Sequence, residues 1–262
     1  MKRLVTVVLA AVLAPAAFAG VTYRFDSSSS GMASQSISGV VKADQGKVRI
    51  DITSGDGMMF ESGSVMFASG GGVITVAKPA DKTFYEIDPS NLLGSGAGAM
   101  SQLQGLVNID ARNPSVSVRD GGNGGTVEGY ATRKALVDTS YDLVMDMFGQ
   151  KTTTSIATKS EVWWTADIPA EYANVFQTST LRTGIAAIDK ILASQSASIK
   201  RFPLKQVTST TMTINGGVQR STSTTTVTGV KQMAVAPAEL VMPSGYRKVE
   251  SPIESMMGKL GR

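Results

Sequence analysis

The chain has 262 residues, 42% of them apolar, 6% aromatic and 18% charged, with neither Cys nor His. Without Cys there is no disulfide, no thiolate nucleophile and no Cys-ligated zinc or iron–sulfur centre. Without His there is no Ser-His-Asp relay and no imidazole metal site. Carboxylate, Lys, Tyr and Ser chemistry stay open.

The first segment reads as a secretory leader. Lys2 and Arg3 precede the apolar run Leu4 to Leu13, and Ala17-Phe18-Ala19 supplies the small residues a leader peptidase needs. The run is too short for a membrane span, which takes roughly 20 apolar residues. Cleavage after Ala19 leaves residues 20–262 as a single exported domain beginning at Gly20. Loss of Lys2 and Arg3 lowers the net charge from +4 to +2. No Lys/Arg cluster of the kind nucleic acid requires is present. The periplasm is the expected compartment.

Downstream, the chain reads as short strands. Val48, Ile50 and Ile52 alternate with Lys47, Arg49, Asp51 and Thr53, which places the apolar set on one face. Residues 73–76 and 83–87 are two more strands, with Pro79 and Asp81 in the turn between them. Residues 90–108 carry six apolar side chains but also four Gly, each costing roughly 1 kcal/mol in a helix. A broken helix or a flap is expected there. Strands follow at 115–119, 126–137, 140–148 and 152–166. Asp120 to Gly125 reads as a loose turn, and Gly149-Gln150 as a hairpin. Within 171–196, Leu181, Ile185, Ile188 and Leu192 form one helical stripe. The strands 207–214 and 218–235 are joined at Asn215-Gly216-Gly217, because Asn and Gly tolerate positive φ. Ser221 to Thr226 lacks apolar alternation and reads as an exposed edge or protruding hairpin. Ser251-Pro252-Ile253-Glu254 opens a short helix through Leu260.

About ten antiparallel strands do not stay flat in one sheet. The expected fold is mainly β: an incomplete antiparallel barrel, with helices over its concave face and an apolar space between.

Glu161-Val-Trp-Trp-Thr-Ala-Asp-Ile-Pro169 resembles the W-x-T-x-D-I-P signature of a domain of unknown function in secreted bacterial proteins. Phe202-Pro-Leu-Lys205, Leu240-Val-Met-Pro-Ser-Gly-Tyr246 and Gly129-Tyr130 resemble its other motifs. Arg201 and Val241 depart from it, where the family often has Gly and an aromatic. That family is similar to the LolA-like superfamily of periplasmic lipoprotein carriers. The resemblance spans residues 21–249 and implies a half-barrel with an apolar cavity. The carrier's acyl-handling residues have no counterpart motif here, so lipoprotein cargo is not carried over.

Other chemistry has weak support. Gly94-Ser-Gly96-Ala-Gly98 lacks the strand and acidic partner of a nucleotide loop. Asp51, Asp56 and Glu61 lack calcium-loop spacing. Asp142 and Asp146 share a strand face, where a carboxylate pair could act as acid and base; two exposed charges beside Lys151 account for them better. Several of the 13 methionines fall in strand segments and suit an adaptable apolar surface. The expected cavity lining is Val162, Trp164, Met145, Met147, Met212, Ile185 and Ile188. Trp163 shares the outer face with Glu161. No catalytic residue, metal ligand or cofactor is assigned.

Three functions stay open. One is a carrier or envelope sensor that holds an acyl chain, lipid or lipidated peptide, with transient contact to membrane or envelope proteins. The second is a structural or adhesion module without a small ligand. The third is a hydrolase that uses carboxylates alone.

Overall fold

The structure is a computed structural model. It describes residues 20–31, 34–57, 60–69, 73–88, 107–147, 149–176, 188–191, 193–194, 201–252 and 255. The strands are β1 Gly20–Ser30, β2 Gln35–Asp44, β3 Lys47–Gly57, β4 Phe60–Glu61, β5 Val65–Ser69, β6 Ile74–Lys78 and β7 Thr83–Ile87, then β8 Val107–Val127, β9 Tyr130–Met147, β10 Gln150–Thr165, β11 Phe202–Ile214, β12 Gly217–Gln232 and β13 Arg247–Lys248.

They form one open sheet in the order β13-β7-β6-β5-β3-β2-β1-β12-β11-β10-β9-β8, with β4 paired to β3. The pairs are antiparallel except β13 with β7. The expected mainly-β, unclosed sheet is present. β1 joins its two halves by pairing with β2 on one side and β12 on the other.

The main core lies on one face of β1–β3, β11 and β12. The alternation Val21, Tyr23, Phe25 in β1 meets Val41 and Ala43 in β2 and Val48, Ile50 and Ile52 in β3. Phe202, Leu204 and Val227 extend it across the seam. Gly39 lies under the Phe25 ring, where a Cβ would come within 2.7 Å of Cε1. A 3-10 segment, Ala170–Phe176, caps this core with Tyr172 and Ala173, and Ile168 just before it is also buried. The Tyr23 hydroxyl donates to the Tyr172 carbonyl at 3.2 Å. Tyr23 and Phe202 meet edge to face at 5.3 Å between ring centres. Each large side chain buried here contributes about 1.5–3 kcal/mol. On the opposite face, the 237–246 segment covers Val65, Phe67 and Ala77 with Met242 and Tyr246. Lys42 pairs with Glu239 at its start, and this hydrogen bond holds the Glu239 carboxyl below the ordinary carboxylate range.

Four expectations need correction. The 3-10 segment begins where an α-helix was expected from 171. Residues 188–191 are helical, and Ile191, off the expected stripe, is the buried residue; Ile188 is half-buried. Leu181, Ile185 and Leu192 lie outside the described residues, as do 89–106, while 107–108 belong to β8. Asp120 to Gly125 is strand, not turn: β8 runs through it with bulges at 120/122 and 123/125. Gly122 and Gly125 take φ of 80° and 75°, and their N–H groups donate to Asp120 Oδ1 and Asn123 Oδ1. The hairpin turn is Glu128-Gly129, with φ of 51° and 81°. Ser221 to Thr226 is no edge either, since β12 is paired on both sides. The Asn215-Gly216 hairpin is present, with φ of 50° and 81°. The Ser251 carbonyl accepts from the Ser255 N–H at 3.0 Å, a helical bond at the expected C-terminal start.

Candidate functional site

The motif around the two tryptophans serves the fold. Thr165 Oγ1 accepts from the Asp167 N–H, Ile168 enters the core, and the Pro169 carbonyl accepts the Tyr172 N–H that opens the 3-10 segment. Trp163 lies under two ammonium groups, Lys134 Nζ at 4.4 Å and Lys205 Nζ at 4.9 Å from its ring centre. Lys134 also pairs with Glu161 at 2.9 Å, so Trp163 shares the charged face with Glu161. Trp164 is half-buried with the Arg201 guanidinium 5.5 Å from its ring. A bulge in β11 at this point pairs Trp163 with Lys205 and Trp164 with Pro203.

Register places the expected lining residues. Val162 sits opposite Ala135 and Gln206, Ile156 opposite Tyr141 and Met212, and Thr152 opposite Met145. Paired residues share a face and alternate residues along a strand repeat it. Val162, Met212 and Met145 therefore lie on one face, the face that carries the core. They are not neighbours. From Trp164 to Thr152, opposite Met145, is 12 residues of β10, about 40 Å at 3.3 Å per residue. The structure thus divides the set: Val162 and Trp164 at one end, Met145 and Met212 at the other. Ile188 lies on the helical piece at 188–191. The side chain of Met147, and Ile185, fall outside the described residues.

Between the two ends runs a polar belt. Thr158 and Ser160 of β10, Gln206, Thr208 and Thr210 of β11, Ser223 and Thr225 of β12, and Ser27 of β1 share the face by register. Their side chains bond across the strands: Ser27 with Thr225 at 2.9 Å, Ser160 with Thr208 at 2.9 Å, Thr158 with Thr210 at 3.4 Å, and Gln206 Nε2 to Thr208 at 3.1 Å. A groove here, lined by Leu204, Gln206, Thr208, Ser223, Thr225 and Val227 among others, has a water-accessible volume of about 130 Å³. That is below the roughly 300 Å³ at which small-molecule pockets begin. It includes none of the expected cavity residues.

Beyond the belt the same face turns apolar. One row is Ile109 and Met145, the next Ala111, Leu143 and Ile214, the next Tyr141, Ile156 and Met212. Ala111 and the intervening Thr154 are buried and the others half-buried. Burial raises the Tyr141 phenol above its ordinary pKa. Sequence reasoning found the two methionines but missed Tyr141, Leu143, Ile156 and Ile214. The alternation Tyr141, Leu143, Met145 was the available signal.

The carboxylates do not make a catalytic pair. Asp142 accepts hydrogen bonds from Ser155 and Asn113, which lower its pKa, whereas Asp146 faces Lys151 at 3.9 Å. Four residues along a strand separate them by about 13 Å, beyond the roughly 5–9.5 Å of paired catalytic carboxylates. Asp51 pairs with Arg49 and Glu61 with Lys78, and among the described residues no group of three acidic side chains converges.

No family model matches the chain, and no curated protein matches it. Among solved structures, the chain is similar to a LolA superfamily protein from Nitrosomonas europaea, at 8% identity over 85% of this chain and 90% of that one, with a TM-score of 0.31. No helix among the described residues is long and apolar enough to cross a membrane.

Proposed function

We propose that this is an exported periplasmic protein that holds an apolar ligand, an acyl chain or lipidated group, against the core-side face of β8–β11 at the end far from the tryptophans, as a carrier or envelope sensor. The observation that supports it is the collection of Ile109, Leu143, Met145, Tyr141, Ile156, Met212 and Ile214 on one face of four adjacent strands, separated from the main core on β10 and β11 by the Ser/Thr belt. Met among β-branched and aromatic neighbours gives a surface that adapts to chains of varied shape. The leader pattern of Lys2, Arg3, Leu4 to Leu13 and Ala17-Phe18-Ala19 supports export. The reading assigns no catalysis.

The test is titration with a fluorescent fatty acid, alongside mass spectrometry of the envelope-purified protein for bound lipid. Met212→Lys should weaken binding about tenfold or more, while Trp164→Phe, at the other end of β10, should leave it within twofold. Unchanged circular dichroism establishes that the Lys variant is folded. No saturable binding by the parent protein would favour the structural module, a reading that the small, hydrogen-bonded groove in the belt supports.

A further inference from the structure

The strands β9–β12 keep their charges on one face. By register Lys134, Asp138 and Asp142 of β9 and Lys159 and Glu161 of β10 share the face of Trp163. On the other face, from the row of Val162 to the row of Met145, no described residue of β9–β12 is Lys, Arg, Asp or Glu. Lys205 borders the groove in the belt, but its ammonium lies 4.9 Å from the Trp163 ring centre, on the charged face. The uncharged face has two parts in line along the strands. First comes the hydroxyl and amide belt, and beyond it the apolar rows from Tyr141 to Met145, about 13 Å long. Each hydroxyl pair of the belt uses one O–H for its bond. One hydroxyl of every pair therefore holds an O–H that the belt does not use, and the oxygens hold further lone pairs.

We infer that the occupant of this face is an amphiphile with an uncharged, hydroxyl-bearing head, a glycosyl or glycerol group, seated on the belt, and with its chain laid over the rows from Tyr141 to Met145. This rests on the carrier reading above and adds the class of head group. A hydroxyl both donates and accepts, as the belt does, whereas a carboxylate only accepts and an ammonium only donates. A charged head would also leave water for a face that offers it no counter-charge, a cost that a neutral head escapes. The carboxylates of the same strands stand on the opposite face and are engaged there, Glu161 with Lys134 and Asp142 with Ser155 and Asn113. The belt thus selects by charge, and the apolar rows hold the chain.

The experiment displaces the fluorescent fatty acid from the protein with dodecyl glucoside, monolauroylglycerol, dodecanoate and dodecylammonium, matched in chain and different in head, each below its micelle-forming concentration. The two uncharged amphiphiles should bind about tenfold or more tighter than either charged one, the scale of one polar group left unpaired. The tighter of the two names the head as sugar or glycerol. Thr208→Val removes one belt hydroxyl and keeps the branched shape. It should weaken the uncharged amphiphiles about threefold or more and leave dodecanoate within about twofold. Thr210→Lys brings an ammonium to the belt and should put dodecanoate ahead of dodecyl glucoside. Circular dichroism checks that both variants are folded, and the comparison of heads on the parent protein needs neither. A charged head bound as tightly as the uncharged ones, or an order that folded Thr210→Lys does not move, overturns the head-group assignment and leaves the carrier reading standing. If neither the fluorescent fatty acid nor any of the four amphiphiles binds, the carrier reading fails and this assignment with it.

Discussion

Tyr23 shows how a single side chain ties sequence to stability in this sheet. It is fully buried, stacked edge-on to Phe202, with its hydroxyl on the Tyr172 carbonyl. Burial pushes its phenol far above the ordinary value near 10. Burial also raises Tyr85, with Glu61 adding to it, and Tyr172, with Glu171 and Asp44 adding. In the unfolded chain the Tyr23 phenol ionises near pH 10, while buried in the native sheet it keeps its proton well above that. Above that pH the unfolded state binds fewer protons than the native one, so stability is fully present below about pH 10 and falls as pH rises. Urea unfolding at a series of pH values should be flat from 7 to 9 and, above the unfolded phenol's pKa near 10, fall by up to about 1.4 kcal/mol per pH unit through Tyr23. Tyr23→Phe should cost about 1 kcal/mol at pH 7 through the lost hydrogen bond and make the alkaline fall shallower. An unchanged alkaline limb would mean that Tyr23 is not its source.

At the scale of elements, local turn chemistry was legible and pairing was not. Asn215-Gly216 announces its hairpin because two adjacent positive φ values need those residues. The same logic misplaced the β8–β9 turn. Six residues of Asp, Asn and Gly at 120–125 carry the signature of a turn, yet they are used as two bulges that let β8 continue, and the chain turns at Glu128-Gly129 instead. Ser27 to Ser30 and Ser221 to Thr226 have no apolar alternation, so nothing local marks them as interior strand. They pair with each other, Ser27 with Thr225 through Ser30 with Thr222, a relation between residues some two hundred apart. Within 171–196 the described residues are a 3-10 segment to Phe176 and helical pieces at 188–191 and 193–194, and the buried helical position is Ile191, which lies off the Leu181-Ile185-Ile188-Leu192 stripe. Ile191→Ala should therefore cost about 2–5 kcal/mol, and Lys190→Ala, an exposed neighbour, under about 0.5 kcal/mol. Thermal unfolding of both variants measures this, and equal costs would mean that the helical piece does not dock through Ile191.

Over the whole molecule, the decisive quantity is distance along the strands, which alternation alone does not encode. Every second residue of β10 shares a face whether it lies near Trp164 or near Thr152, so the sequence correctly puts Val162, Met145 and Met212 on one side. It does not reveal that β9 and β10 pair in unbroken register from Trp164 with Arg133 to Gln150 with Met147. That length separates the tryptophans from the methionine end by about 40 Å, with the Ser/Thr belt in between. The consequence reverses the use of Trp164 as a natural reporter of the apolar face. An acyl ligand seated over Met145 and Met212 should displace water there and leave the surroundings of both tryptophans as they are, each still beneath its Lys or Arg. Native emission should then stay constant through a titration that saturates the protein. A single indole carried at the far end, Ile156→Trp in a Trp163→Phe and Trp164→Phe background, should shift to the blue over the same ligand range. A native Trp164 that responds, while the indole introduced by Ile156→Trp stays silent, would move the binding face to the end of the sheet beside Val162.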